Sequence, residues 1–251
     1  MKQSDDWVVP MALVINLARR ADRMKKLGEL GLPFDYARLD AIDGRTLSWE
    51  NLSNDIHADA IREAQWAAER AVPTICRKTG SFSPHLTLSA AGCALSHRKA
   101  WTALVESDCK FALIMEDDLS AVAPHFDAKL RLLLSSVLPK TWQLCFLGFH
   151  ESTDRLLARS EAPRVMEIPN GACVTGLFAY LLTRQGAQAL LAHGTGLFPL
   201  RHQVDVAVSQ HTWSAGCRFA VDPQAVRCHP RHCARRTLPA RVNRYDAPLP
   251  C

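Results

Sequence analysis

Short unbroken runs of aliphatic residues recur along this chain, and between them apolar residues return every three or four positions, so strands and helices take turns. The first run, residues 8–17, has Pro10 near its start and predicts a strand that tolerates a missing backbone donor there. Residues 36–42 predict a second strand closed by the Asp43-Gly44 turn, and residues 49–71 are Ala-rich and helical in character. Residues 73–84 mix Gly, Ser, Thr, Pro and basic side chains without a period and predict a loop. Thr87 or Ser89 can cap a helix running to Glu106, with Cys93, His97, Trp101 and Leu104 recurring on one face. Residues 111–115 form a continuous apolar run of the buried parallel-strand kind. Beyond it the pattern predicts a helix over 127–138, strands over 142–149 and 163–168, and a longer β run over 171–183. Helices over 185–193 and 204–213 follow, then a last strand over 218–226 and an irregular remainder rich in Arg and Pro. No repeat or linker interrupts the series, which predicts one Rossmann-like α/β domain over 1–251. Its sheet is expected to be mixed and mainly parallel, with 227–251 a basic tail.

Composition narrows the class. With 48% hydrophobic and 22% charged residues the chain is neither disordered nor fibrous. The net charge of +5 owes much to Arg227, Arg231, Arg235, Arg236, Arg241 and Arg244, a cluster suited to a diphosphate or an anionic membrane surface. No aromatic-basic interleaving or nucleic-acid motif accompanies it, so no nucleic-acid partner is expected. Nine cysteines without framework spacing, and no cleavable apolar N-terminal segment, lead us to expect a reducing, cytoplasmic setting. Cys228-His229-Pro230-Arg231-His232-Cys233 could hold zinc but is tighter than a standard finger. No apolar run is long enough to span a bilayer, so any membrane contact is expected to be peripheral.

The candidate chemistry begins where the 111–115 run meets Glu116-Asp117-Asp118. A buried parallel strand ending in adjacent carboxylates delivers acids to the carboxyl edge of a sheet, where open α/β folds bind ligands. Three neighbouring anions repel one another and favour a hard cation such as Mn2+ or Mg2+, whose remaining positions suit phosphate oxygens. Asn16, Arg19, Arg20 and Arg23 follow the first predicted strand, a position where phosphates are commonly held.

Three segments then read together: Val14-Ile15-Asn16-Leu17 with the arginines after it, Gly92-Cys93-Ala94-Leu95-Ser96-His97, and Leu113-Ile114-Met115-Glu116-Asp117-Asp118. In that order and spacing they resemble glycosyltransferase family 25, the lipopolysaccharide and lipooligosaccharide galactosyltransferases together with the collagen galactosyltransferases. Gly176-Leu177-Phe178-Ala179-Tyr180, Gly186-Ala187 and Val204-Asp205 extend the likeness, which covers about residues 8 to 210. The resemblance implies a GT-A type fold, a UDP-sugar donor with galactose as the expected sugar, a saccharide or lipid-linked oligosaccharide acceptor, and inversion at the anomeric carbon. It implies Asp118 and Asp117 as ligands of Mn2+ or Mg2+, and Glu116, Ser96 and His97 as donor-pocket residues. Asp205 is the candidate general base, with Asp117 also placed in catalysis, and His229 is a further possible metal ligand. The sequence departs from the family at Ala90, where a glutamate is common, at Leu177, where a threonine is usual, and at Gln203, where proline is frequent. The missing glutamate motivates an alternative, a catalytically silent relative that binds nucleotide sugar or glycan without transfer. A signalling receiver is disfavoured because over a hundred residues precede the acid cluster.

Overall fold

In the computed structural model of this chain, which describes residues 9–74, 85–150, 164–169, 172, 174–222 and 226–228, the apolar runs become one seven-stranded sheet. Its strands are β1 (Ala12–Asn16), β2 (Ala37–Asp40), β3 (Phe111–Glu116), β5 (Leu144–His150), β6 (Arg164–Glu167), β7 (Thr175–Thr183) and β8 (Arg218–Asp222), with β4 (Leu119–Val122) lying outside it. Across the sheet the order is β2-β1-β3-β7-β5-β8-β6. β1 is parallel to β2 and β3, β7 is antiparallel to β3 and β5, β5 is parallel to β8, and β6 is antiparallel to β8. Five strands therefore share one direction and only β7 and β6 run against it, as a mainly parallel mixed sheet requires.

Successive side chains on a strand point to opposite faces, and here both faces are covered. Leu13, Ile15, Ala112, Ile114, Phe146, Tyr180 and Leu182 face one core. That core is closed by α2 (Ala58–Glu69), α3 (Leu88–Glu106), α5 (Arg184–Leu191) and α6 (Val204–Gln210). Ala12, Val14, Leu113, Met115, Cys145 and Leu181 face the other, closed by α1 (Ala21–Glu29) and α4 (Phe126–Leu132). Double coverage explains why β3 and β7 read as unbroken apolar runs rather than as alternation.

Several expected boundaries shift. The 49–71 helix begins later, at Ala58, after a separate 3-10 turn at Glu50–Leu52, and the 127–138 helix gives way to a π-helical turn at Leu133–Val137. The predicted last strand divides into β8 and a short β9 (Val226–Cys228), which pairs antiparallel with β4 in a separate two-stranded sheet. Neither β4 nor β9 was expected: each is too short for its periodicity to stand out, and each is held by its partner. Most of the 73–84 loop, the Cys228–Cys233 cluster apart from the Cys228 backbone, His229 and the basic tail beyond Cys228 lie outside the described residues. Among the described residues no helix is long and apolar enough to cross a membrane.

Candidate functional site

The acid triplet sits where β3 ends, and the strand's period of two separates its side chains. Glu116 continues the 112-114 row toward α3, and Asp117 continues the 113-115 row toward α1. Asp117 Oδ2 accepts from Asn16 Nδ2 at 2.6 Å and its Oδ1 from Arg23 Nη1 at 2.7 Å. Asn16 is itself fixed, since its Oδ1 accepts from Arg38 Nε at 2.8 Å and its Nδ2 also donates to the Arg20 carbonyl at 3.1 Å. Neighbouring carboxyl ends of the parallel pair β1 and β3 thus bring Asn16 beside Asp117 across 101 residues of sequence.

Asp118 is held less firmly. Among the described residues its Oδ1 is buried without a hydrogen bond, and Arg23 lies 3.9 Å from its Oδ2. Burial, then the charge of Glu116, push its carboxyl up to about 7; Asp117 adds to the rise and Arg23 partly opposes it. A buried carboxylate oxygen with nothing to accept from, beside two further carboxylates, fits a hard divalent cation.

On the other side of β3, Glu116 Oε1 lies 3.2 Å from His97 Nε2, and His97 Nδ1 lies 2.9 Å from the Tyr180 hydroxyl, which accepts from Trp101 Nε1 at 2.9 Å. Trp101 can only donate, so Tyr180 keeps a place for its own proton by giving it to Nδ1. In that arrangement His97 Nε2 faces Glu116 as the donor. Tyr180 is fully buried, and burial raises its phenol pKa well above the ordinary value, which keeps it a donor.

The Gly-Cys-x-Leu-Ser-His segment is explained by how closely α3 approaches the turn after β2. A Cβ on Gly92 would stand 2.6 Å from the Ile42 carbonyl oxygen, and one on Gly44 would stand 2.3 Å from that of Leu88. Ser96 Oγ accepts from Ile42 N–H at 2.8 Å and donates to the Gly92 carbonyl at 2.6 Å. Ser96 is 1% exposed and so fastens the Asp43 turn to α3 rather than facing a ligand. Cys93, grouped by helical spacing on one face with His97, is exposed.

The arginines divide. Arg23 joins the acid cluster, while Arg19 pairs with Asp43 at 2.7 Å, where Arg45 also binds. Arg20 pairs with Asp22 at 2.9 Å and also feels the charges of Asp117 and Asp118. Asp205 is buried at the start of α6. Its Oδ2 accepts from Gly176 N–H and its Oδ1 from Val206 N–H, both at 2.8 Å. Gly176 has φ +85°, a conformation that glycine adopts freely, and Ser209 holds the adjoining Val174 N–H. This geometry makes Asp205 a brace for the start of β7. It stands at the same sheet edge as the acids, since Met115 pairs with Ala179 in the antiparallel ladder.

Of the residues singled out from the sequence, the structure brings Asn16, Arg23, His97, Glu116, Asp117 and Asp118 together at the β3 edge. Sequence reasoning did not identify Tyr180, Trp101 and Arg38 as their supports. Tyr180 was detectable as a lone polar tip in an apolar strand, a side chain that needs a partner when buried.

A sheet whose first and third strands bring an Asn-Arg cluster and an acid triplet to one carboxyl edge defines a Rossmann-like α/β domain of the GT-A glycosyltransferase type. The sequence model described as Glycosyltransferase family 25 (LPS biosynthesis protein) matches residues 10–207, and the chain belongs to that family. A Glycosyltransferase 25 family member from Drosophila pseudoobscura pseudoobscura is 28% identical over 219 residues, covering 80% of this chain and 31% of the relative. Procollagen galactosyltransferase 1 from Danio rerio is 25% identical over 198 residues, covering 76% and 30%. A Glycosyltransferase 25 family member from Aedes aegypti is 26% identical over 221 residues, covering 82% and 32%. The chain spans about a third of the length of these curated relatives.

Proposed function

We propose that this chain is an inverting glycosyltransferase that moves a hexose, with galactose the first choice, from a UDP-sugar to a saccharide or lipid-linked acceptor in lipopolysaccharide or surface-glycan synthesis. The observation that carries the reading is the unpartnered, buried Asp118 oxygen at the β3 edge of a family 25 chain. The galactosyl choice draws support from the Danio rerio relative, which is named a procollagen galactosyltransferase. A cytoplasmic site of action, with the basic tail against an anionic inner-membrane surface, belongs to the same proposal.

Each side chain has work that follows from its surroundings. Asp118 would hold Mn2+ or Mg2+, which when bound supplies positive charge to a departing diphosphate. Arg23 and Asn16 fix Asp117, so the acid edge keeps its shape while the donor enters. Arg19 and Arg20 lie beyond the end of β1, placed to meet phosphate. Glu116, with a quarter of its side chain exposed, is the most open of the acids at this edge. It is the carboxylate best placed to take the acceptor hydroxyl's proton, with His97 orienting it, whereas Asp205 is committed to backbone donors.

The silent-relative alternative rested on Ala90, and the structure gives that position a structural meaning. Thr87 caps α3 by accepting from Ala90 N–H at 3.1 Å, so residue 90 is the third residue of the helix, where a glutamate closes a capping box. The deciding experiment incubates the purified chain with a panel of nucleotide sugars, an acceptor mixture and Mn2+, and follows nucleotide diphosphate release. Release from one donor, lost with chelator and in Asp118→Ala, is expected. Equal release with chelator or in the variant would overturn the metal-dependent mechanism, and binding without release from any donor would favour the silent relative.

A further inference from the structure

The thiol of Cys93, a ring nitrogen of His97 and a carboxylate oxygen of Glu116 all lie within 4.8 Å of one another. We propose that they form a binding site for a borderline-soft divalent cation of the zinc type, separate from the oxygen-only site at Asp118. Cys93 and His97 are four residues apart on α3 and so occupy one face on successive turns, a spacing used by paired ligands on helices. Glu116 completes the triangle from β3, with its Oε1 3.2 Å from His97 Nε2.

Burial divides the labour among the three. His97 is fully buried and held from behind by Tyr180, whereas Cys93 is exposed and opens the site to solvent. Ligand atoms around a tetrahedral zinc stand about 3.3–3.8 Å apart, so closure from the observed spacing takes shifts of about 1 Å, within reach of an exposed cysteine and a partly exposed glutamate. Thiolate with imidazole favours Zn2+ or Co2+ over Mn2+ or Mg2+, while the carboxylates at Asp118 have the opposite preference.

The proton balance is simple. On binding, the thiol gives its proton to water, and the imidazole proton moves from Nε2 to Nδ1. There the Tyr180 oxygen accepts it alongside the Trp101 N–H, and the Tyr180 hydroxyl turns its own proton away from Nδ1. Three protein ligands leave a fourth position for water. Occupancy would also draw Glu116 onto the metal, so on the transferase reading above such a cation inhibits transfer; the site itself does not depend on that reading.

The test is titration of the full chain with Co2+ in reducing, chelator-free buffer, with Mn2+ present to occupy the oxygen site. A near-ultraviolet thiolate-to-cobalt band and intense visible bands are expected, saturating at one more Co2+ per chain in wild type than in Cys93→Ser. The exposed position makes that variant safe for folding. Glu116→Gln should weaken this extra site about tenfold or more, and Asp118→Asn should leave it intact. Identical spectra for wild type and Cys93→Ser, or an unchanged affinity in Glu116→Gln, would overturn the proposal. No sugar donor is present, so a negative result leaves the transferase reading standing, and a failed transferase assay leaves this one standing.

Discussion

Ionising Asp118 places a negative charge beside Glu116 and Asp117 where burial already opposes it, and its carboxyl is accordingly pushed from 3.8 up to about 7. The native state therefore holds this proton more tightly than the unfolded chain does. Stability from this group is intact below about pH 4, falls as pH rises toward 7, and stays low above it. A pKa rise of that size corresponds to a loss on the order of 4 kcal/mol. Asp118→Asn removes the charge, so in chelator at pH 8 the variant should be more stable than wild type, and near pH 4 the two should converge. Added Mn2+ should stabilise wild type and leave the variant unchanged. Urea denaturation across this pH range, with and without Mn2+, checks all three outcomes; a wild-type stability that rises from pH 4 to 7 relative to the variant would contradict the assignment. A residue that weakens the empty protein and gains from a ligand is what a binding site costs.

The same logic at the scale of one element explains α3. Its first turn needs a cap, its middle must lie against the Asp43 turn, and its buried face must reach β3 and β7. Thr87 answers the first, Gly92 and Ser96 the second, and His97 with Trp101 the third. Only the cap is incomplete, because Ala90 cannot reach back to the Thr87 N–H. Ala90→Glu should raise stability by about 0.5–1 kcal/mol, with the melting temperature up by about 1–4 °C and the donor KM unchanged. A lower melting temperature would remove the capping explanation, and a changed donor KM would return position 90 to the site. The helix was legible because Thr87 and the apolar spacing mark its start and its buried stripe. The roles of Gly92 and Ser96 were not, because both depend on the Ile42 carbonyl and N–H, fifty or more residues earlier in the chain. Cys93 shows the limit from the other side: helical spacing grouped it with His97, yet a stripe of that width has an edge, and Cys93 stands on it exposed.

For the whole molecule, the alternation of strands and helices was enough to indicate α/β architecture, since β1, β3, β5 and β7 are long apolar runs covered on both faces. The reversal of β7 was not readable, because a fully buried strand carries the same pattern in either direction. That reversal matters: it sets Tyr180 opposite Ile114 and the Gly176 start of β7 beside the acid edge, completing a site from segments far apart in sequence. A donor spanning the β1 arginines, Asp117 and Asp118 would tie these segments together, so its binding should appear as stability of the entire fold. At a hundred times its dissociation constant a ligand adds about 2.7 kcal/mol, which for a chain of this size corresponds to a melting shift of about 5–10 °C. UDP with Mn2+ should produce such a shift in wild type, and chelator or Asp118→Ala should abolish most of it. Differential scanning fluorimetry across a UDP series measures it directly. A shift of equal size in chelator would mean that the arginines hold the diphosphate unaided and that the Asp118 oxygen serves another ligand. No shift under any condition would mean that the acid edge does not bind the nucleotide at all.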